Sequence, residues 1–314
     1  MKKEVEKIEE TSAYPHKSLE KIEEDRIVFL SKYRRQNNFK FFVAILCITA
    51  VFVAFLFVPG MVGKKNPELA NALTIIICVV FLGGGLAYSI LVRKYMEKSM
   101  HRYFNAYFSN VNDFVFGAKQ YTDVVLQDPG KITMEEFNEA RLYKDVVSTN
   151  SRALTTFKFN KVEMSIVEAS GNIRRADKRV VPVFVGKEIR GKAKYEGDEQ
   201  IVVYLKGNDR SLPPTNVEGL EKVEETSEYY IATNSKSYKK VLTKEILAKI
   251  KAIKTNKLLV DVAISIHSGK VFVMMGYDDP LMVLPLQAVF DSKPTEAYKK
   301  DLVKVCELVE ALGK

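Results

Sequence analysis

Cysteine and histidine are scarce, and each scarcity closes off a class of chemistry. The three cysteines, Cys47, Cys78 and Cys306, are too scattered for a disulfide framework and fit no zinc spacing. They are compatible with a reducing compartment. The three histidines, His16, His101 and His267, lie far apart in sequence, whereas metal sites need clustered ligands. No cofactor or metal is therefore expected. His267 ends a predicted strand before a turn, the usual setting of a solvated or capping histidine. Phosphate-binding loops are missing too. GKEIRGK and HSGK lack the glycine spacing and the strand-to-helix context. No Gly-x-Ser-x-Gly elbow occurs. Asp278 and Asp279 stand before Pro280, and Asp-Asp-Pro reads as an ordinary turn rather than a metal-binding or acid–base pair. With no catalytic motif, the sequence leans away from an enzyme.

Charge is absent from two long stretches. Residues 39–58 read FKFFVAILCITAVFVAFLFV, with Lys40 as the one charge, and residues 69–92 read LANALTIIICVVFLGGGLAYSILV, with none. About 20 apolar residues at roughly 1.5 Å rise each span about 30 Å, the hydrocarbon thickness of a bilayer. Neither run carries a polar stripe, and a helix apolar all round is deeply buried or crosses a membrane. The linker PGMVGKKNPE is short enough for an antiparallel hairpin. Nearly forty residues, rich in Glu, precede the first run, which is wrong for a cleaved signal peptide. The sequence predicts two transmembrane helices.

Lys and Arg beside spans stay on the cytoplasmic side. Lys21, Arg26, Lys32, Arg34 and Arg35 precede the first span, and Arg93, Lys94, Lys98 and Arg102 follow the second. The linker holds Lys64 and Lys65. Both termini are therefore expected in the cytoplasm of a cell whose inner membrane holds the hairpin. The division is a tail at 1–38 with an amphipathic helix at 18–36, a hairpin at 39–92, and a cytosolic domain at 93–314. The chain carries 48 basic and 39 acidic residues, a formal charge of +9, with most of the excess after the hairpin.

Helical spacing of Met96, Met100, Tyr103, Phe104, Tyr107 and Phe108 continues the second span as a stalk helix. Strands are predicted at 156–160, 162–168, 179–186, 200–207, 228–233, 258–266 and 271–275, with Leu258, Val260, Val262, Ile264 and Ile266 on one inward face. Helices are predicted at 235–256 and 294–312, the latter framed by Pro294 and Gly313. NDRSLPPTN breaks the pattern as a long loop. Strands and helices are segregated, so the fold class is α+β: a membrane hairpin followed by a largely antiparallel sheet with flanking helices.

This order resembles the bacterial membrane-protein family catalogued as domain of unknown function thirty-one thirty-seven. The resemblance rests on Phe184, Val185 and Gly186 as a Phe-x-Gly element. It also rests on YYIAT leading into a helix through Leu242, Thr243 and Lys244, where the family has Leu-Thr-Pro. It covers about 93–314 and implies no activity or catalytic residues.

Two basic features suit anionic lipid: Arg174, Arg175, Lys178 and Arg179 between two strands, and the lysine-rich helix that includes Lys239 and Lys240. A solvated turn and a solvated helix face are the plainer readings. No DNA- or RNA-binding motif occurs, which disfavours nucleic acid. Gly83, Gly84 and Gly85 in the second span allow close helix approach, either within the hairpin or between copies in a homo-oligomer. The sequence reads as a membrane-anchored binding or scaffolding protein with an unidentified protein partner. A membrane-bound enzyme with a dispersed site, or an anionic-lipid-binding module, are the alternatives.

Overall fold

A computed structural model of the chain describes residues 17–63, 66–127, 130–277 and 289–314. Lys64, Lys65, His16, and the Asp278–Asp279–Pro280 turn lie outside the described residues. The described chain divides into two compact units: residues up to 107 with 289–290, and residues from 108 to 277 with 291–314.

The first unit is a helical hairpin. Helix α1 runs Lys17–Met61 and α2 runs Pro67–Phe116, 45 and 50 residues each, so the amphipathic segment and the first span form one continuous helix. The stalk likewise continues the second span without a break. A core helix of a water-soluble protein hides its apolar side chains. Here Phe41, Phe52, Val79 and Leu91 are 63–68 % exposed. Both helices are long and apolar enough to cross a membrane, and this naked apolar surface is what hydrocarbon would cover.

The helices pair antiparallel along their length. Phe39 meets Tyr88 edge to face at 5.8 Å, and Phe29 stacks on Tyr103 at 4.8 Å. Between them, a Cβ on Gly85 would lie 3.1 Å from the Cys47 sulfur. Gly83 and Gly84 meet nothing within 4 Å, since successive residues point about 100° apart around a helix. The close approach within the hairpin therefore involves Gly85 alone of the three. Gly85→Leu is expected to lower the thermal aggregation temperature of the detergent-solubilised protein, and Gly84→Leu to leave it unchanged. Equal melting of both variants with the wild type would remove close packing as the reason for Gly85.

The second unit is built on one antiparallel sheet. Its strands are β1 Tyr121–Leu126, β2 Val146–Phe159, β3 Val162–Arg174, β4 Val180–Lys192, β5 Ile201–Leu205, β6 Glu221–Glu225, β7 Tyr229–Thr233, β8 Leu259–His267 and β9 Lys270–Tyr277. They lie in the order β1-β2-β3-β4-β9-β8-β5-β7-β6, every pairing antiparallel. The helices are α3 Met134–Asn138, α4 Tyr238–Val241, α5 Lys244–Ala252 and α6 Lys293–Gly313. This is the expected α+β arrangement.

Three details differ from the sequence reading. The helix expected at 235–256 is broken. It restarts at Thr243, whose hydroxyl accepts the Ile246 amide and caps α5. All of β8 is buried, not one face of it. Val262, Ile264 and Ile266 pair across to Met275, Val273 and Val271, while Ala263 joins Phe272, Met274, Tyr204 and Phe184 in a core on the opposite face. β1 and β6 went unforeseen because they are the two edge strands. β6 is mostly charged, as suits an exposed edge, and β1 exposes Thr122 to Val125 with no alternation of buried and exposed positions.

The Phe-x-Gly element has a packing reason. Phe184 sits among Phe137 and Tyr143, with ring centroids at 6.1 and 5.8 Å. A Cβ on Gly186 would fall 1.9 Å from the Met275 carbonyl oxygen, so strands β4 and β9 leave no room for a side chain.

Candidate functional site

Strand register places charged residues side by side on the face that α6 covers. Arg152 on β2 pairs with Glu168 on β3, and Glu168 pairs with Lys187 on β4. The neighbouring row is Asn150, Ser170 and Val185. A cavity of about 250 Å³ opens over these two rows, with Tyr277 of β9 completing its wall.

The charges in it are organised around one carboxylate. Arg152 Nε donates to Glu168 Oε1 at 2.9 Å, and Lys187 Nζ donates to Oε2 at 2.8 Å. Lys187 is 3 % exposed, with its ammonium 5.5 Å from the ring centroid of Tyr298 on α6. Arg152 lies 5.5 Å over the Phe108 ring. Burial by itself raises the Glu168 carboxyl, but Lys187 and Arg152 together hold it below the usual carboxylate range. Burial, with Arg152 nearby, pulls the Lys187 ammonium below its ordinary value despite Glu168. Two cations thus flank one carboxylate in a confined space. The Tyr277 hydroxyl is buried and has no hydrogen-bond partner among the described residues. Its pKa is pushed well up by burial, so it remains a neutral donor. The arrangement suits the holding of an anionic group.

The opposite face of the same strand carries a second buried pair. Glu188 is fully buried, and its Oε1 accepts from Arg190 Nε at 2.6 Å. Its Oε2 has no partner among the described residues, and burial pushes its carboxyl up to about 7. His267 is also buried, at 2 % exposed, and stacks on Phe272 at 5.5 Å. It is not the solvated strand-end residue that the sequence suggests. Burial lowers its pKa, which keeps it neutral. Phe272 supplies the stacking platform, and only the strand pairing brings it there.

The residues singled out from sequence lie elsewhere. Arg174, Arg175, Lys178 and Arg179 are exposed at the β3–β4 turn, with Arg179 Nε on Asp177 at 2.8 Å. Lys239 and Lys240 are exposed on α4. Lys240 shares a separate cavity with Lys194, two residues past the end of β4, whereas the arginine turn precedes its start. Thirteen extended residues separate those ends, about 40 Å at roughly 3.3 Å per residue. The two basic features form no common surface. In sequence Lys187 reads only as part of GKEIRGK, a segment that fails as a phosphate loop, and Glu168 as the polar end of the strand VEMSIVE. The available signal was charge inside an apolar strand run, where a charged residue is buried only if paired.

No protein-family model and no curated protein matches the chain. Among solved structures, the crystal structure of the mycobacterial trehalose monomycolate transport factor A aligns with 65 % of this chain and 96 % of its own, at a TM-score of 0.36 and 6 % identity. A likeness of that degree carries nothing about function from one chain to the other.

Proposed function

We propose that this is an inner-membrane protein with two spans and both termini in the cytoplasm. Its α+β unit is a binding module that takes an anionic group, a carboxylate or phosphate, presented by a partner. The observation that carries this reading is the cavity at Arg152, Glu168, Lys187 and Tyr277, where two cations flank one carboxylate and the wall includes a tyrosine whose hydroxyl has no hydrogen-bond partner among the described residues. The excess of Lys and Arg outside the hairpin supports the orientation. The resemblance to the family of unknown function is compatible with a non-enzymatic role.

The test has two arms. Asp209→Cys, on an exposed loop, is expected to resist a membrane-impermeant thiol reagent in intact cells and to react after lysis. Reaction in intact cells would reverse the topology. For binding, the purified full chain is melted in phosphate or acetate and in chloride of equal ionic strength. A ligand that binds only the folded state raises the melting temperature by mass action. A rise is expected in the wild type and its loss in Tyr277→Phe, whose missing hydroxyl leaves no folded-state bond unmade. Equal melting in all salts would discard the anion site.

A further inference from the structure

The hairpin keeps its two helices paired beyond the apolar runs, and there it forms a notch of about 320 Å³. Lys32 lines it from α1, and Lys98, Arg102 and Tyr103 from α2. Lys32, Lys98 and Arg102 are exposed and make no ion pair among the described residues. Asp25 is the one carboxylate in the lining. Three cations against one acid leave a net charge of +2.

Tyr103 packs one wall of the notch: it is 5 % exposed and its ring stacks on Phe29.

Depth identifies the ligand. Lys32 precedes residue 39 by seven positions, and Lys98 follows residue 92 by six. At about 1.5 Å per residue, both lie roughly 10 Å beyond the hydrocarbon boundary, and Arg102, ten positions past residue 92, about 15 Å, with its side chain leaning back along α2 toward the membrane. The headgroup layer occupies about 5–8 Å on each side of the roughly 30 Å core. Long basic side chains reach back into it. Tyr95 shares the lining, as an aromatic at this level does.

We propose that the notch between α1 and α2 is a binding site for one anionic phospholipid headgroup carrying two negative charges. Lys32, Lys98 and Arg102 take the phosphate oxygens. The site rests on the membrane reading of the hairpin and is distinct from the cavity in the α+β unit. A single charged cleft differs from a diffuse basic surface in stoichiometry and in preference for a dianionic headgroup.

The full chain in detergent is titrated with cardiolipin, with phosphatidylglycerol at matched charge, and with inorganic phosphate, and bound species are read by native mass spectrometry. One cardiolipin per chain is expected, in preference to phosphatidylglycerol. Lys98→Gln with Arg102→Gln is expected to weaken it about 30-fold, from the attraction typical of each basic residue near anionic lipid. Lys32→Gln alone is expected to weaken it about five-fold, from the same attraction per basic residue. Arg174→Gln with Arg175→Gln, on the distant turn, is expected to change nothing. Undiminished binding by the double variant would overturn the site. Equal retention of phosphatidylglycerol would overturn the dianionic assignment, and retention of inorganic phosphate in place of lipid would overturn the lipid source. Resistance of the same variants to alkaline extraction from membranes tests the spans separately, so loss of the site and loss of the membrane reading are distinguishable.

Discussion

Glu168→Ala is expected to lower the stability of the α+β unit by about 3–5 kcal/mol, the usual effect of removing one partner from a buried ion pair. For a unit of this size that is a fall in melting temperature on the order of 10 °C. The reason is Lys187, which is 3 % exposed and has Glu168 as its carboxylate. Arg152 is 38 % exposed at its side chain and turns to water when the carboxylate is lost. Lys187 has no such exit. Adding Lys187→Met to Glu168→Ala removes the stranded charge while keeping most of the buried stem, and is expected to recover most of the loss. Thermal unfolding of the purified full chain measures both variants. If Glu168→Ala melts with the wild type, water reaches Lys187 and the cavity is not the dry, charged space described.

The second expectation concerns pH. Glu188 ionises at about 7 when folded, against an ordinary value of 4.5. Between those values the native state binds more protons than the unfolded chain, so stability falls as pH rises. The stabilisation is full below about 4.5 and gone above about 7. A difference of 2.5 pH units corresponds to about 3 kcal/mol. Asp261, pushed by burial up to about 6, adds a fall in the same direction. The lowered Glu168 carboxyl acts oppositely only below its ordinary range, outside this window, while the lowered His267 imidazole acts oppositely inside it, below 6.5, and offsets part of the fall. Chemical unfolding of the full chain at pH 5 and pH 8 is expected to show lower stability at pH 8. Glu188→Gln is expected to reduce the difference, because the amide stays neutral and its oxygen still accepts from Arg190 Nε. A wild type more stable at pH 8 than at pH 5 would contradict a buried, largely protonated Glu188.

The sequence by itself determined the two long apolar helices and the fold class. Both are written in runs of residues of one kind. Residues 39–58 and 69–92 are long and apolar enough to cross a membrane, and the segregation of alternating strands from amphipathic helices needs no distant contact to be seen. Single-residue roles were not legible. Gly83, Gly84 and Gly85 are equivalent in sequence, and only the rotation of α2 against α1 aims Gly85 at Cys47. The lysines of 235–256 and the arginines of 174–179 look alike in composition, and only the sheet sets them at opposite ends of β4. Arg152, Glu168 and Lys187 are 16 and 19 residues apart in turn. They became one cavity because the registers of β2, β3 and β4 put them in one row. Register depends on how whole strands pair, and a slip of one residue would turn each side chain to the other face. The tertiary structure alone decided that row, and with it the cavity that its buried charges and Tyr277 line.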